Sequence, residues 1–460
     1  MTIPGREADQ PLTHEAGRML ELAGWGHAVR QRAEVLRPEL QSRLQAGLEG
    51  FGIPRGLGRA YGDAALSQGI VWQTTRLQRM LAFDADGVLT AEAGVSLGDV
   101  MRTFLPRGWS LPVTPGTQWV TLGGAVAADV HGKNHHLAGT FGQHVTEIVL
   151  LTADGALRRV APDRDPELFW ATVGGMGLTG LIVEVSLRLV PAETGYISVD
   201  YWRTAELAET VDWFAGSDRA YPFTVAWLDG LKEGPGLGRA VLMGGRTAPR
   251  SSLRPADAVY PMPRRAVRLP VDLPGGSLSL AVGKLFNSVY YGVHPQRRGV
   301  LEPWWKFFYP LDVADDWFHI YGRRGFVQYQ GVYPPEVGAK EIRQILGRIH
   351  QARHANFLGV LKRMGPPSQG MLSFPREGLT LALDLPMRGE QTLRLVADLY
   401  AMTADLGGRV YLAKDAHLSA SMFRRMYPAW QDFLAVKRRV DPEGRLRSLL
   451  SDRLGLGEGS

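Results

Sequence analysis

Two substantial domains built from both strands and helices are expected from this chain, on three observations. At 460 residues it exceeds what one ordinary hydrophobic core serves. Strand-like and helix-like stretches occur in both halves. The composition also changes near Pro191, after which aromatic residues are frequent as far as about Gly408.

The elements follow in order. Arg37-Pro38-Glu39-Leu40 leads into a short amphipathic helix ending near Gly47–Gly50. A loop with four glycines, Gly52 to Asp63, comes next. Asp86-Gly87 between apolar segments predicts a hairpin turn. Val95–Leu105 reads as a helix that stops before Gly108, and a strand Glu147–Thr152 turns at Asp154-Gly155 into Leu157–Val160. Thr172–Val190 is glycine-rich at first, then alternates Val183, Val185, Leu187 and Leu189 as a half-buried strand. Beyond Pro191, strands are expected at Thr224–Leu228, Gly325–Val332 and Leu379–Leu385, and helices at Pro335–His350 and Gln391–Leu406. Arg250–Gly276 is rich in Pro, Arg and Gly without periodicity, as in a long loop or mobile lid. The tail carries a helix, Pro428–Arg439, before Asp441-Pro442-Glu443-Gly444, and no internal repeat is visible.

Bulk properties narrow the function. With 45% hydrophobic and 21% charged residues the chain is globular, not disordered. Having no cysteine, it can form neither disulfides nor thiolate metal sites, and it has no cysteine nucleophile. The net charge of +6 suits anionic substrates or an anionic membrane surface, or reflects an arginine-rich composition. The arginines are scattered and no basic run is interleaved with aromatics, so no nucleic-acid partner is expected. Met1–Gln10 carries Arg6, Glu7 and Asp9 and no apolar core, so no signal peptide is expected. The longest uncharged stretch, Gly108–Ala128, is broken by Pro112 and Pro115, so no transmembrane helix is expected either. The expected location is cytoplasmic or peripheral on a membrane.

One stretch stands out. Pro115-Gly116-Thr117 is followed by Gly123-Gly124 and then by His131-Gly132-Lys133-Asn134-His135-His136. The chain holds only eight lysines and three asparagines, yet Lys133 and Asn134 adjoin. Small residues that admit a large ligand thus run into a dense polar cluster. The three histidines raise a metal, but neither a His-Glu-x-x-His pattern nor a suitably spaced carboxylate set accompanies them, so no metal is expected. The preferred reading has His131 and Lys133 position an anionic or hydroxylated ligand.

Other candidates are weaker singly. The loop Arg55–Asp63 has glycines to present backbone N–H groups to a pyrophosphate, with Arg55 and Arg59 to balance charge. It is neither a Walker A sequence nor Gly-x-Gly-x-x-Gly, and serves equally as a structural turn. Gln328 and Gln330 share one face of an expected strand. Lys362 ends an apolar strand and Lys414 follows Gly407-Gly408, where snorkelling lysines are also common. Their joint occurrence favours a site.

Together, Arg55–Asp63, Gly123–His136, Gly174-Gly175-Met176-Gly177-Leu178-Thr179-Gly180 and Tyr411-Leu412-Ala413-Lys414-Asp415 resemble the vanillyl-alcohol-oxidase-type FAD flavoproteins. The likeness runs from about Gly24 to Leu446. It is strongest to the branch acting on polyprenylphosphoryl-ribose in actinobacterial cell-wall arabinan synthesis. The resemblance implies an α+β, two-domain vanillyl-alcohol-oxidase/PCMH-type FAD-binding fold with an antiparallel-sheet substrate domain. Its implied boundaries are an FAD-binding domain over 1–192, a substrate-binding domain over 193–408 and a segment, 409–460, that completes the first.

The resemblance implies FAD as cofactor, contacted by Arg55, Gly56, Leu57, Gly58, Arg59, Ala60, Tyr61, Gly116, Thr117, Gly123, Gly124, His131 and Tyr411. Many relatives attach FAD through a histidine where this chain has Arg59, so noncovalent binding is expected. It assigns Lys414, Tyr61 and His131 to catalysis and Lys133, Gln328, Gln330, Lys362, Ala382 and Lys414 to substrate binding. The implied partners are a polyprenyl-phosphoryl sugar substrate, a short-chain reductase that takes the ketone onward, and a quinone or other electron acceptor. Three departures accompany it: Ala382 stands for a cysteine, Thr380 for an asparagine and Phe308 for a tyrosine. An alditol, aldonolactone or specialised-metabolite sugar oxidase is the alternative activity, and a redox-silent binding scaffold the alternative of another class.

Overall fold

The computed structural model describes residues 17–39, 50–217, 220–263, 267–268, 271–272, 279–315, 317–356 and 358–457. The expected helix leading to Gly47–Gly50 falls mostly on residues 40–49 and lies outside them.

Two sheets build the N-terminal part. Arg18–Ala23 pairs antiparallel with Arg30–Leu36, which runs parallel to Ile70–Gln73, itself parallel to Gly52–Arg55. The second sheet is antiparallel throughout, in the order Met80–Phe83, Val88–Glu92, Leu181–Arg188, Val145–Leu151, Leu157–Val160. Its central strand buries Val183, Val185 and Leu187, as their alternation predicts. The hairpin at Asp86-Gly87 forms because Asp84 Oδ1 accepts from the Asp86 and Val88 N–H groups while Gly87 takes φ +79°. The helix Leu97–Phe104 starts where Ser96 accepts from the Asp99 N–H, and it buries Leu97, Val100, Met101 and Phe104 at helical spacing.

An eight-stranded antiparallel sheet dominates the rest. Its order is Arg297–Pro303, Tyr196–Thr204, Ala240–Thr247, Phe223–Leu228, Gly359–Met364, Gly378–Pro386, Phe326–Tyr333, Arg409–Val410. Every residue of Phe326–Tyr333 is buried, so its two faces must both be covered. Helices Leu207–Ser217, Ala339–Gln351 and Glu390–Asp405 lie on one face, where the Tyr329 hydroxyl bonds Thr403 Oγ1 at 2.6 Å. Gln328 and Gln330 project to the other face. The helix expected from Pro335 begins instead at Ala339, because Pro334 to Val337 form a turn and Glu341 Oε2 accepts from the Gly338 N–H. The Arg250–Gly276 segment is irregular among its described residues apart from a short 3-10 turn, Arg250–Ser252, and the two-residue strand Val267–Arg268.

The C-terminal segment ties the two parts together. Arg409–Val410 edges the eight-stranded sheet, and the chain then returns to Gly52, whose N–H donates to Arg445 O at 2.8 Å and whose carbonyl accepts from the Arg447 N–H at 2.7 Å. Helix Leu449–Leu454 brings Arg453 between two buried carboxylates. Its guanidinium donates twice to Asp63, at 2.9 Å each, and lies 3.0 Å from Asp415 Oδ2. Asp415 Oδ1 also accepts from the Tyr400 hydroxyl and from the His417 and Leu418 N–H groups.

Removing Arg453 leaves two buried carboxylates without their cation. Arg453→Ala should therefore lower unfolding stability by about 3–5 kcal/mol. Urea unfolding followed by circular dichroism would show this as a lower midpoint at unchanged slope; an unshifted midpoint would refute it.

Candidate active site

A cavity of about 740 Å³ lies against the free face of the large sheet, within the range of roughly 300–1,000 Å³ usual for ligand sites. Its wall contains each of the site residues expected from the sequence. Three parts of the chain bring the expected residues to it: the glycine loop, the segment from Thr114 to Lys133, and the strands carrying Gln328, Lys362 and Ala382 with the turn at Lys414; further wall comes from Trp227, Met243, Phe286 and Tyr290.

The glycine loop is shaped by packing. A side chain at Gly56 would meet Thr121 Oγ1 at 2.2 Å, and Gly58 adopts φ +67°. The Arg55 guanidinium donates to the carbonyls of Ala65 at 3.1 Å and Ala23 at 2.8 Å, so it braces the loop. Burial and the neighbouring Arg59 lower its pKa to about 10. Arg59 lies over the Trp25 ring at 3.8 Å, an aromatic partner absent from the sequence expectations.

In the segment 129–136, side chains divide between pinning and exposure to the cavity. Buried Asp129, at φ +40°, accepts from the Gly142 N–H at 2.9 Å and from the hydroxyls of Ser368 and Ser373. Asn134 Nδ2 donates to Pro112 O at 2.8 Å, His135 Nδ1 accepts from the Gly365 N–H at 3.0 Å, and His136 Nε2 bonds Tyr221 O at 3.0 Å. Those three residues fix the backbone. His131 and Lys133 are left to the cavity.

His131 Nε2 faces Gln330 Nε2 at 3.1 Å, so the amide donates and the proton of the neutral ring sits on Nδ1. Burial first, then Lys362, His135 and Lys414, push its pKa well below the usual histidine value. Nδ1 is buried and has no hydrogen-bond partner among the described residues. Lys133 donates to the Phe307 carbonyl and lies 4.2 Å from the Phe307 ring centroid.

Register in the large sheet aligns the other groups. Gln328 stands opposite Asp384, Gln330 opposite Ala382 and Val332 opposite Thr380. Gln328 Nε2 donates to Asp384 Oδ1 at 2.5 Å and the Tyr321 hydroxyl to Asp384 Oδ2 at 3.2 Å. Lys362 lies within Gly359–Met364, opposite Thr380, rather than at a strand end. Lys414 Nζ sits 3.5 Å from the centre of the Tyr61 ring. Asp384 and Tyr321 were not among the expected site residues. The signal was the run Thr380, Ala382, Asp384, three successive positions on one face of an otherwise apolar strand.

The cavity is lined by half-buried lysines. Burial lowers the pKa of Lys133 to about 7, of Lys362 to about 8 and of Lys414 to about 7. Asp384 opposes this for Lys414, and its own pKa is pushed up to about 6 by burial. Tyr61 is held well above its ordinary value, by burial and then by Asp384. Of the departures, Ala382 and Phe308 line the cavity; the adjacent Tyr309 hydroxyl is instead bonded to Thr114 Oγ1 at 2.6 Å.

Residues 52–161 match the FAD binding domain family, and 334–454 match the D-arabinono-1,4-lactone oxidase family. The chain is 38% identical over 449 residues to decaprenylphosphoryl-β-D-ribose oxidase of Mycolicibacterium smegmatis, covering 95% of this chain and 97% of that protein. It is 34% identical over 375 residues to an uncharacterized protein of Streptomyces coelicolor, covering 79% of this chain and all of that one. It is 24% identical over 429 residues to L-gulono-1,4-lactone dehydrogenase of Mycobacterium tuberculosis, covering 91% and 95%. The cavity fits the flavin nucleotide that the first family binds. A Cβ at Gly116 would meet nothing within 4 Å, so the wall there is open, and the orphaned His131 Nδ1–H awaits an acceptor. The chain is an FAD-dependent oxidoreductase and belongs to the family of the decaprenylphosphoryl-β-D-ribose oxidases.

Proposed function

We propose that this protein oxidises the 2′-hydroxyl of polyprenylphosphoryl-β-D-ribose to the 2′-ketone, using noncovalently held FAD. The observation that carries the reading is the convergence of Lys133, Lys362 and Lys414 on one cavity whose wall also bears Trp227, Met243, Phe286 and Tyr290. Three half-buried ammonium groups sharing one cavity favour an anion there, and a sugar phosphodiester supplies one. The aromatic and thioether wall suits a prenyl chain. A neutral aldonolactone, the substrate class in the names of more distant relatives, needs neither feature.

In this reading Gly56, Leu57, Gly58, Ala60, Thr117, Gly123, Gly124 and Tyr411 join the loop arginines around the cofactor. FAD, when bound, supplies the hydride acceptor. The chain's own residues handle the proton and the developing charge. Tyr61 keeps its proton at every working pH, since burial holds its pKa up, so its hydroxyl donates to the substrate oxygen. Lys414, with its pKa near 7, is neutral often enough to take the hydroxyl proton. Asp384 lies in its field and stabilises the ammonium that results. Gln328 and Gln330 hold sugar hydroxyls, and Lys133 and Lys362 hold the phosphate. With Arg59 at the attachment position, no histidine tethers FAD. Reduction of the ketone by a short-chain reductase and reoxidation of the flavin by a quinone complete the proposed sequence.

Turnover of a short-chain prenylphosphoryl-ribose with an artificial electron acceptor, and a product lighter by two hydrogens, tests the reading. Oxidation of aldonolactones with no activity on that substrate would overturn it. Lys414→Ala should retain the yellow flavin spectrum and lose about a hundred- to a thousandfold in kcat. A variant with wild-type kcat would dismiss the role.

The lysine pKa values also shape the pH profile. Lys414 must be neutral to accept a proton, so kcat/KM should rise with pH through about 7. Lys133 and Lys362 must be charged to hold phosphate, so kcat/KM should fall on the alkaline side, first as Lys133 loses its proton above about 7 and further as Lys362 does above about 8. Asp384→Asn removes the carboxylate that raises the Lys414 pKa, so the acid limb should move to lower pH; a limb that stays put would exclude Lys414 as its source.

A further inference from the structure

The helix Leu280–Val293 is turned inside out. Val282, Leu285, Phe286, Val289 and Val293 are between 46% and 65% exposed. Their spacing places them in one stripe, roughly 100° wide, along a helix about 21 Å long. The opposite face is the polar one, and it holds the helix to the protein. Asn287, fully buried, donates to Asp229 Oδ1 at 2.9 Å, and Asp229 pairs with Arg239 at 2.8 Å. Lys284 pairs with Glu233 at 2.5 Å, and the Tyr291 hydroxyl donates to Thr204 O at 3.2 Å. A surface helix normally presents these faces the other way round, and soluble monomers rarely leave such a stripe to water.

The stripe adjoins the cavity. Phe286, Tyr290 and His294 of the same helix line it, and Tyr290 packs against Trp227 with ring centres 4.4 Å apart. Phe286 therefore belongs to both surfaces, 47% exposed outside and part of the wall within. Charge lies alongside: Arg297 and Arg298, exposed, open the strand that follows the helix. Met262 and Val271, at 50% and 66% exposure, add apolar surface from the preceding segment. Among the described residues no helix is long and apolar enough to cross a membrane, and this one, about 21 Å long, falls short of a bilayer's hydrocarbon core.

We propose that the outer stripe of helix Leu280–Val293 docks on an anionic lipid bilayer, placing the cavity mouth at Phe286 against the acyl region. The lipid tail of a substrate would then pass between bilayer and cavity without crossing water. This deepens the proposed function, since it rests on a lipid-linked substrate. A second copy of the chain seated on the stripe would cover Phe286 and leave Arg297 and Arg298 without an anionic surface, so the bilayer is the better occupant.

The test uses the full-length, FAD-loaded protein in flotation with vesicles of phosphatidylglycerol and phosphatidylcholine in equal parts, against phosphatidylcholine alone. Wild type should float with the anionic vesicles and less with the neutral ones. The double variant Leu285→Glu/Val289→Glu, at residues outside the cavity wall, should lose about a hundredfold in vesicle affinity. Its flavin spectrum and its turnover of a soluble short-chain prenylphosphoryl-ribose should stay within about twofold of wild type, while turnover of long-chain substrate presented in vesicles is lost. Leu285→Ser/Val289→Ser, which adds no charge, should weaken binding in the same direction. Vesicle binding by the double variant equal to wild type, or a wild-type protein that is a dimer through this stripe and ignores vesicles, overturns the proposal. A wild type that floats as expected yet turns over no prenylphosphoryl-ribose supports the docking and refutes the substrate.

Discussion

The arrangement depends on a seam between two loops some 350 residues apart in the chain. The Tyr61 N–H donates to Ala413 O at 2.8 Å, and a Cβ on Gly62 would meet Asp415 O at 1.9 Å, so only glycine permits the approach. Arg453 then closes the seam by holding Asp63 and Asp415 from one guanidinium. Lys414 and Tyr61 face one another because their neighbours on both sides are locked. Their contact is therefore preorganised by backbone packing, which costs nothing further when substrate arrives.

Onto that frame the protein places cations partly withdrawn from water, in the wall of one cavity. Lys133, Lys362 and Lys414 are half-buried in the cavity wall; among the described residues Asp384 sets a negative charge near Lys414 and Glu302 one near Lys133. Burial weakens their hold on protons and makes them respond strongly to any anion that enters. One physical cause thus serves two purposes: a lysine able to lose its proton near neutrality, and a pocket that discriminates in favour of charged ligands. Asp384, pinned by Gln328 and Tyr321, sets the balance between them.

Much of this was readable in the residues. The scarcity of lysine and asparagine singled out Lys133 and Asn134, and the alternation of Gln328 and Gln330 put both on the cavity side of their strand. The division of labour within His131–His136 was not readable. Only tertiary partners such as Gly365 and Tyr221 show that His135 and His136 anchor backbone while His131 lines the cavity. Asp384 escaped notice because its partners, Tyr321 and Gln328, lie about sixty residues away and meet it only through sheet register. The helix Leu280–Val293 was missed for a different reason. Its apolar residues have helical spacing, but the adjoining Pro/Arg/Gly-rich segment has none, and no rule of local sequence says which face of a helix meets solvent.

Ala382 has a practical consequence. It lies in the cavity wall opposite Gln330, and the chain has no cysteine anywhere. A cysteine installed there would carry the sole thiol in the molecule, and the surrounding ammonium groups would favour its thiolate. That single position offers a chemically unique handle for attaching a fluorophore or an electrophilic probe inside the cavity, with no background labelling to subtract.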